Sequence, residues 1–386
     1  SFLLIFNTGI HSDDYNTIVN FRKINNFYDF LFPWQNGINF IFTAPLTYYL
    51  FWWIYFIADF NNIWMYELFK GLIHICSYYF IYFFMRDYLE KNNAIIFSFC
   101  FVFFPLHEVT IYWFMASPYT LLPGLIMFSH YLINKNNKLL GFIIGSIASF
   151  ISYGSPPYFI GLSIIFIFKN NLNKFFIFLL PNIIFIFFYF FIKVTRSDLE
   201  NRIEKGTELT SYLKNFYLQV LSSFDSISIS YFIKIYESSK LLDTSNIFLT
   251  IIIFLIFFLV IFNKKIDKTN KSSNLKILFI SFIIIFITSA LMFSLTGLYT
   301  QSTFNLGNRG TVYISLIFVT IFCIFKSKFV TFFVIIVLFI VPTVGLNKHW
   351  KDWNTNQINI INNIKNNDKL KNLNNSDLVL TYGNNY

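Results

Sequence analysis

The sequence predicts an all-α polytopic membrane protein with about eleven transmembrane helices, on three observations. Of the 386 residues, 56% are hydrophobic, 22% are aromatic and 12% are charged, whereas soluble domains carry roughly 25% charged residues. Apolar runs recur close to the ~20 residues needed to cross a ~30 Å hydrocarbon core. Basic residues fall at alternate ends of those runs, with 13 of the 29 Lys and Arg in five short loops, the bias that keeps such loops on the cytosolic side. The formal charge of +10 is dispersed over these loops, so it orients the chain in a lipid bilayer and no nucleic-acid partner is expected.

Taken in order, the residues up to Ile10 read as the last turns of a first span. Because the chain starts at Ser1 inside that span, more sequence is expected upstream. Polar residues mixed with aromatics (Phe21, Phe27, Tyr28, Phe30, Phe32, Trp34) then run to Gly37, the pattern of helices lying in the membrane interface. Ile38 to Ala58 is apolar but interrupted at Ala44-Pro45-Leu46. Counting it as a span would put the basic turn Arg86-Asp87-Tyr88-Leu89-Glu90-Lys91 on the side of Asp13. It therefore reads as a re-entrant or interfacial hairpin, and residues 11–62 as the first outer loop.

Spans follow at 63–84, 94–106, 118–133, 139–153, 158–168 and 175–192. The fifth of these, short and preceded by Ser155-Pro156-Pro157, has the character of a cavity-lining segment. A long outer loop, 193–246, holds an amphipathic helix from Ser211 to Tyr236, and spans at 247–262, 277–296, 311–325 and 329–346 complete a membrane domain over 1–346. Residues 347–386 open an outer C-terminal segment, helical in period through Trp350, Trp353, Ile358, Ile361 and Ile364, with a strand at Asp377 to Tyr382. Cys76, Cys100 and Cys323 lie singly in apolar runs and read as core residues.

The candidate chemistry starts from His11-Ser12-Asp13-Asp14-Tyr15, two adjacent carboxylates just past an apolar run. A carboxylate in hydrocarbon costs several kcal/mol, so a pair at the boundary belongs either to a solvated loop or to a polar cavity. The other conspicuous polar groups fall on the same side of this topology: His107-Glu108, the turn Ser152-Tyr153-Gly154-Ser155, and Asn305-Leu306-Gly307-Asn308-Arg309-Gly310. They are expected to share one outward cavity. An acid beside an arginine in a low-dielectric cleft can deprotonate a hydroxyl while the guanidinium holds a phosphate. Glu67, Lys70 and His74 share a face of the second span, where Glu67 and Lys70 suit an i, i+3 ion pair turned into the bundle.

An acidic pair after the first span, interfacial helices, Pro45-Leu46 before the second span, a basic inner turn and a third span ending in an outer acid together resemble the GT-C superfamily of membrane glycosyltransferases. That superfamily includes protein O-mannosyltransferases, lipid A aminoarabinose transferases and oligosaccharyltransferases. The resemblance covers most of 1–346 as architecture. It implies inverting transfer of a sugar from a polyprenyl-phosphate donor to an extracytoplasmic acceptor (glycan, lipid or protein), at the outer face of a bacterial inner membrane. Asp13 or Asp14 would be the catalytic general base or a metal ligand. Glu108 with His107 would match a second acidic position, Arg309 would hold phosphate, and Tyr153 would join them as a substrate contact. A divalent cation, Mg or Mn, would sit at Asp13 and Glu108 if the reaction uses one. Ala44-Pro45 stands where the lipid A branch has paired prolines, and His-Glu where other members have Asp-x-Asp, which leaves acceptor class and metal dependence open. An O-antigen-type polymerase or ligase relying on Arg196 and Arg202, and a lipid-linked glycan flippase, are the alternatives.

Overall fold

A computed structural model describes residues 2–24, 26–36, 39–42, 44–60, 62–195, 208–262, 272–295, 302–304, 306–324 and 327–367. Among them the chain is helical, without a strand. The N-terminal part is a series of short pieces: α1 (Phe2–Ile5), α2 (Asp13–Phe21), α3 (Phe27–Leu31), α4 (Pro45–Thr47) and α5 (Trp53–Ile57). A π-helical turn over Tyr48–Trp52 joins α4 to α5. Pro45 can open α4 because a helix's first turn has no intrahelical acceptor for its missing N–H. From Pro45 to Ile57 the helical stretch is about 20 Å long, short of a ~30 Å core. Tyr48 and Tyr49 donate their hydroxyls to Phe30 O (3.0 Å) and Leu31 O (2.8 Å), tying this stretch to α3.

The bundle proper begins with α6 (Ile63–Met85) and α7 (Lys91–Val102), the latter continuing through a 3-10 turn at Pro105–His107 into α8 (Glu108–Tyr112). Then come α9 (Pro118–Asn134), α10 (Lys138–Ile151), α11 (Pro156–Phe168), α12 (Leu172–Thr195), α13 (Leu209–Ile227), α14 (Ile229–Ser239), α15 (Thr244–Phe262), α16 (Ser272–Ser294), α17 (Val312–Ile324), α18 (Lys328–Ile335) and α19 (Val341–Asn366). Five described segments are long and apolar enough to cross a membrane: Ile63–Met85, Lys91–Tyr112, Leu172–Thr195, Asn274–Ser294 and Lys328–Asn366. Large apolar side chains such as Phe187, Phe191, Phe248 and Phe329 point outward, as a hydrocarbon environment allows. Inside, small residues let backbones approach. Gly124 of α9 faces the Ser77 backbone of α6, and Gly161 of α11 faces Ser281 of α16, whose hydroxyl donates to Gly161 O.

The loops gather at two ends. At one, Lys135 pairs with Asp87 (3.0 Å), Lys174 donates to Asn134 O (2.8 Å), Asn92 to Val260 O (2.8 Å) and Asn93 to Cys323 O (3.1 Å). The turns expected to be cytosolic thus meet each other wherever they are described. The opposite end holds the residues singled out for chemistry.

Two elements differ from expectation. The amphipathic stretch in the long loop is two helices, α13 and α14, because Ser228 leaves the helical region (φ −107°, ψ −121°). The last apolar helix does not stop at 346, since α19 carries on to Asn366 and brings the tail's Trp350 back against the helical bundle. Arg196, Arg202, Lys264, Lys265, Lys268, Lys271 and the stretch 377–382 lie outside the described residues.

Candidate functional site

The site is built around the first turn of α2. Ser12 stands in the left-handed region (φ 50°), which reverses the chain so that Asp14, one residue into the helix, reaches back to the His11 N–H (3.0 Å to Oδ2). Its Oδ1 accepts from the Met115 N–H (3.1 Å) and from the Tyr55 hydroxyl. Asp14 is completely buried, and burial pushes its carboxyl up to about 6 against the pull of those three hydrogen bonds and the Lys70 charge. Asp13 is exposed. Successive helical residues project about 100° apart, and here Asp14 turns inward while Asp13 points away.

Beneath Asp14, α6 supplies Glu67 and Lys70, both buried. The Lys70 ammonium donates to Thr8 Oγ1 (3.1 Å), Gly9 O (2.8 Å) and Tyr112 O (2.8 Å), while Glu67 accepts from the Gly9 N–H (2.9 Å). The expected i, i+3 pair therefore directs its charges at backbone, clamping the turn after α1 to the end of α8. Gly9 carries φ +73°, and a Cβ there would stand 2.0 Å from Asn354 Oδ1 of α19. Asn354 itself donates to Asn7 O (3.1 Å). Only glycine fits between that turn and the last helix.

A second buried acid lies at the head of α8. Glu108 Oε1 accepts from the Lys234 ammonium of α14 (2.8 Å) and from Asn308 Nδ2 (3.2 Å), and its Oε2 accepts from Trp350 Nε1 (3.2 Å). Lys234 also donates to Thr303 O (2.7 Å), and Asn308 Oδ1 accepts from the Val109 N–H (3.3 Å). Burial pulls the Lys234 ammonium down, and the Glu108 carboxylate opposes this. Three segments far apart in sequence thus close on one carboxylate.

Trp350 joins the two acids. Its ring meets His11 edge-on (centroids 4.5 Å apart) and stacks on Tyr112 (5.5 Å), while its indole N–H holds Glu108. His11 is buried, and desolvation, seconded by the Lys70 charge, drops its imidazole to about 3, so it is neutral at physiological pH.

The remaining predicted residues are placed as follows. His107 is buried with its ring near Phe101 (5.5 Å) and Phe104 (6.1 Å), packed among aromatics. Arg309 is half-buried on the 3-10 turn Leu306–Thr311, one residue from Asn308. Tyr153 is half-buried in a turn whose neighbour Gly154 accepts from the Tyr313 hydroxyl (2.8 Å), so that turn and the start of α17 adjoin. The shared metal expected at Asp13 and Glu108 does not fit: the first acid faces outward, and the second is already neutralised by Lys234. Among the described residues no three His, Cys, Asp or Glu side chains converge as a ligand set.

Sequence reasoning included Asn308 only as part of the stretch Asn305 to Gly310, and it did not find Lys234, Trp350 or Tyr55 as members. One signal was available. Lys234 follows Tyr231 by three positions in an amphipathic helix, and a lysine on the apolar side of such a helix needs a buried counter-charge. No family model matches the chain, and searches of curated proteins and of solved structures gave no match either.

Proposed function

We propose that the chain is an integral membrane glycosyltransferase of the GT-C kind, with about eleven spans in this sequence and its site at the extracytoplasmic end. It would transfer a sugar from a polyprenyl-phosphate donor to an acceptor hydroxyl. The observation that carries this reading is Asp14: a buried carboxylate raised to about 6, at the end of the bundle opposite the basic turns. A base of that strength is ionised at neutral pH and still takes a proton readily.

In this mechanism the acceptor hydroxyl displaces the Tyr55 hydroxyl from Asp14 Oδ1 and gives its proton to the carboxylate as its oxygen attacks the anomeric carbon. The bond from that carbon to the phosphate oxygen breaks with inversion, and polyprenyl phosphate leaves with the electron pair. Arg309, beside the Glu108 cluster, is the cation assigned to the departing phosphate. Both Asp13 and Asp14 were candidates for the base, and burial favours Asp14.

The test is turnover of radiolabelled polyprenyl-phosphate sugars by the full chain in nanodiscs. Asp14→Asn should abolish transfer while Asp13→Asn keeps it. Binding of the labelled lipid without turnover by the parent protein would replace the transferase with a transporter.

A further inference from the structure

We infer that the basic end of the bundle carries a binding site for the headgroup of an anionic phospholipid, formed where three inter-helix turns meet. Asp87 follows α6, Lys135 follows α9, and Lys169 and Lys174 flank the turn from α11 to α12. Lys135 bonds Asp87 Oδ1 (3.0 Å), Asn134 Nδ2 bonds Asp87 Oδ2 (3.0 Å), and Lys174 bonds Asn134 O (2.8 Å). Lys169 lies over the Tyr88 ring (5.5 Å) and Lys135 over the Tyr131 ring (5.4 Å). Lys135 is thus held at Asp87 and Lys174 at the neighbouring Asn134, while Lys169 lies close enough to feel the Asp87 charge, so three cations gather about that carboxylate. Each ammonium has three donors, so the bonds that Lys135 makes to Asp87 and Lys174 makes to Asn134 leave further donors for a phosphate. Lys169 also responds to its neighbours: burial lowers it most, Asp87 raises it, and Lys174 and Lys135 lower it further.

The surroundings say which anion fits. Immediately beside these cations Phe168, Leu172 and Phe176 are 52%, 60% and 62% exposed, at the outer surface of α11 and α12. A free phosphate has no use for those side chains, whereas a phospholipid lays its acyl chains along them while its headgroup meets the lysines. Basic clusters between membrane helices on the cytosolic side bind acidic headgroups on these grounds, at about 1 kcal/mol per cation. This site is independent of the reading of Asp14, which lies at the other end.

Native mass spectrometry of the full chain in neutral detergent, titrated with phosphatidylglycerol and with phosphatidylcholine of the same acyl chains, tests the proposal. The expected result is preferential retention of phosphatidylglycerol, weakened about fivefold for each of Lys135→Ala, Lys169→Ala and Lys174→Ala. Asp87→Asn removes the competing anion and should tighten retention, which separates a binding site from variants that merely loosen the fold. Equal retention of the two lipids, an unaffected triple lysine variant, or weaker binding by Asp87→Asn would overturn it. So would displacement of phosphatidylglycerol by millimolar inorganic phosphate, which would make the site one for free phosphate.

Discussion

Replacing Lys234 with methionine isolates the central interaction of the Glu108 cluster. The pair is 2.8 Å long, with the side chains 1% and 9% exposed. Breaking a buried pair by removing one partner costs about 3–5 kcal/mol, since the other charge stays behind. Glu108 would keep two neutral donors, Asn308 at 3.2 Å and Trp350 at 3.2 Å. Hydrogen bonds to a charged group are worth about 1.5–3 kcal/mol each, so Lys234→Met should fall at the low end, near 3 kcal/mol. Adding Glu108→Gln should recover about 1–2 kcal/mol of that loss, because the amide still accepts from Asn308 and carries no charge. The measurement is an equilibrium unfolding titration in mixed micelles on the parent, both single variants and the double variant. A cost under about 1 kcal/mol for Lys234→Met, or a double variant no more stable than Lys234→Met, would refute the buried pair as described.

Other expectations follow from the same geometry. If Asp14 is the base, the rate of transfer should rise with pH through an acid limb near 6. Tyr55→Phe should move that limb upward in kcat/KM, which reports the free protein where the Tyr55 hydrogen bond still stabilises the ionised form; a pH profile of kcat/KM checks both. The same shift affects stability. A native carboxyl raised above its unfolded value of 3.8 stabilises the fold below about 4 and loses that contribution as pH climbs through 6. The loss amounts to about 3 kcal/mol. His11 acts oppositely: depressed from 6.5 to about 3, it contributes stability above its unfolded value that is lost as pH falls. Relative to the parent, Asp14→Asn should therefore gain stability between pH 4 and 6, and a flat difference would remove the burial argument. Gly345→Ala would set a Cβ 2.0 Å from Ser238 O, forcing α19 away from α14, and should cost about 1–3 kcal/mol in the same unfolding assay. Gly9→Ala, strained in φ and blocked by Asn354, should cost at least as much.

Much of the fold was legible because the membrane imposes a simple code. The stretch 63–84 was readable as helix α6 and 175–192 as part of α12, since a backbone in hydrocarbon must satisfy its own hydrogen bonds and a long apolar run leaves it no other form. The turns at Asp87, Asn134 and Lys174 were readable as neighbours because their charge bias put them on one side before any contact was known. The break at Ser228 was not, because it leaves the apolar period of the helix unchanged. The helical period of the tail was legible, but not its continuity with the last span, because the apolar character falls away after Leu346 while the backbone stays helical.

By itself the sequence determined the class of protein, the places of its long helices and the end at which its acids would collect. These depend on composition and on spacing along one chain. Only the tertiary structure decided that Asp14 turns inward while Asp13 stays outside, that Glu108 belongs to Lys234, and that Trp350 stands between the two acids. The reason is distance in sequence: Glu108 and Lys234 are 126 residues apart, and Glu108 and Trp350 are 242. A local pattern carries no record of such pairings, and a buried charge shows its partner only once the helices that carry both have packed.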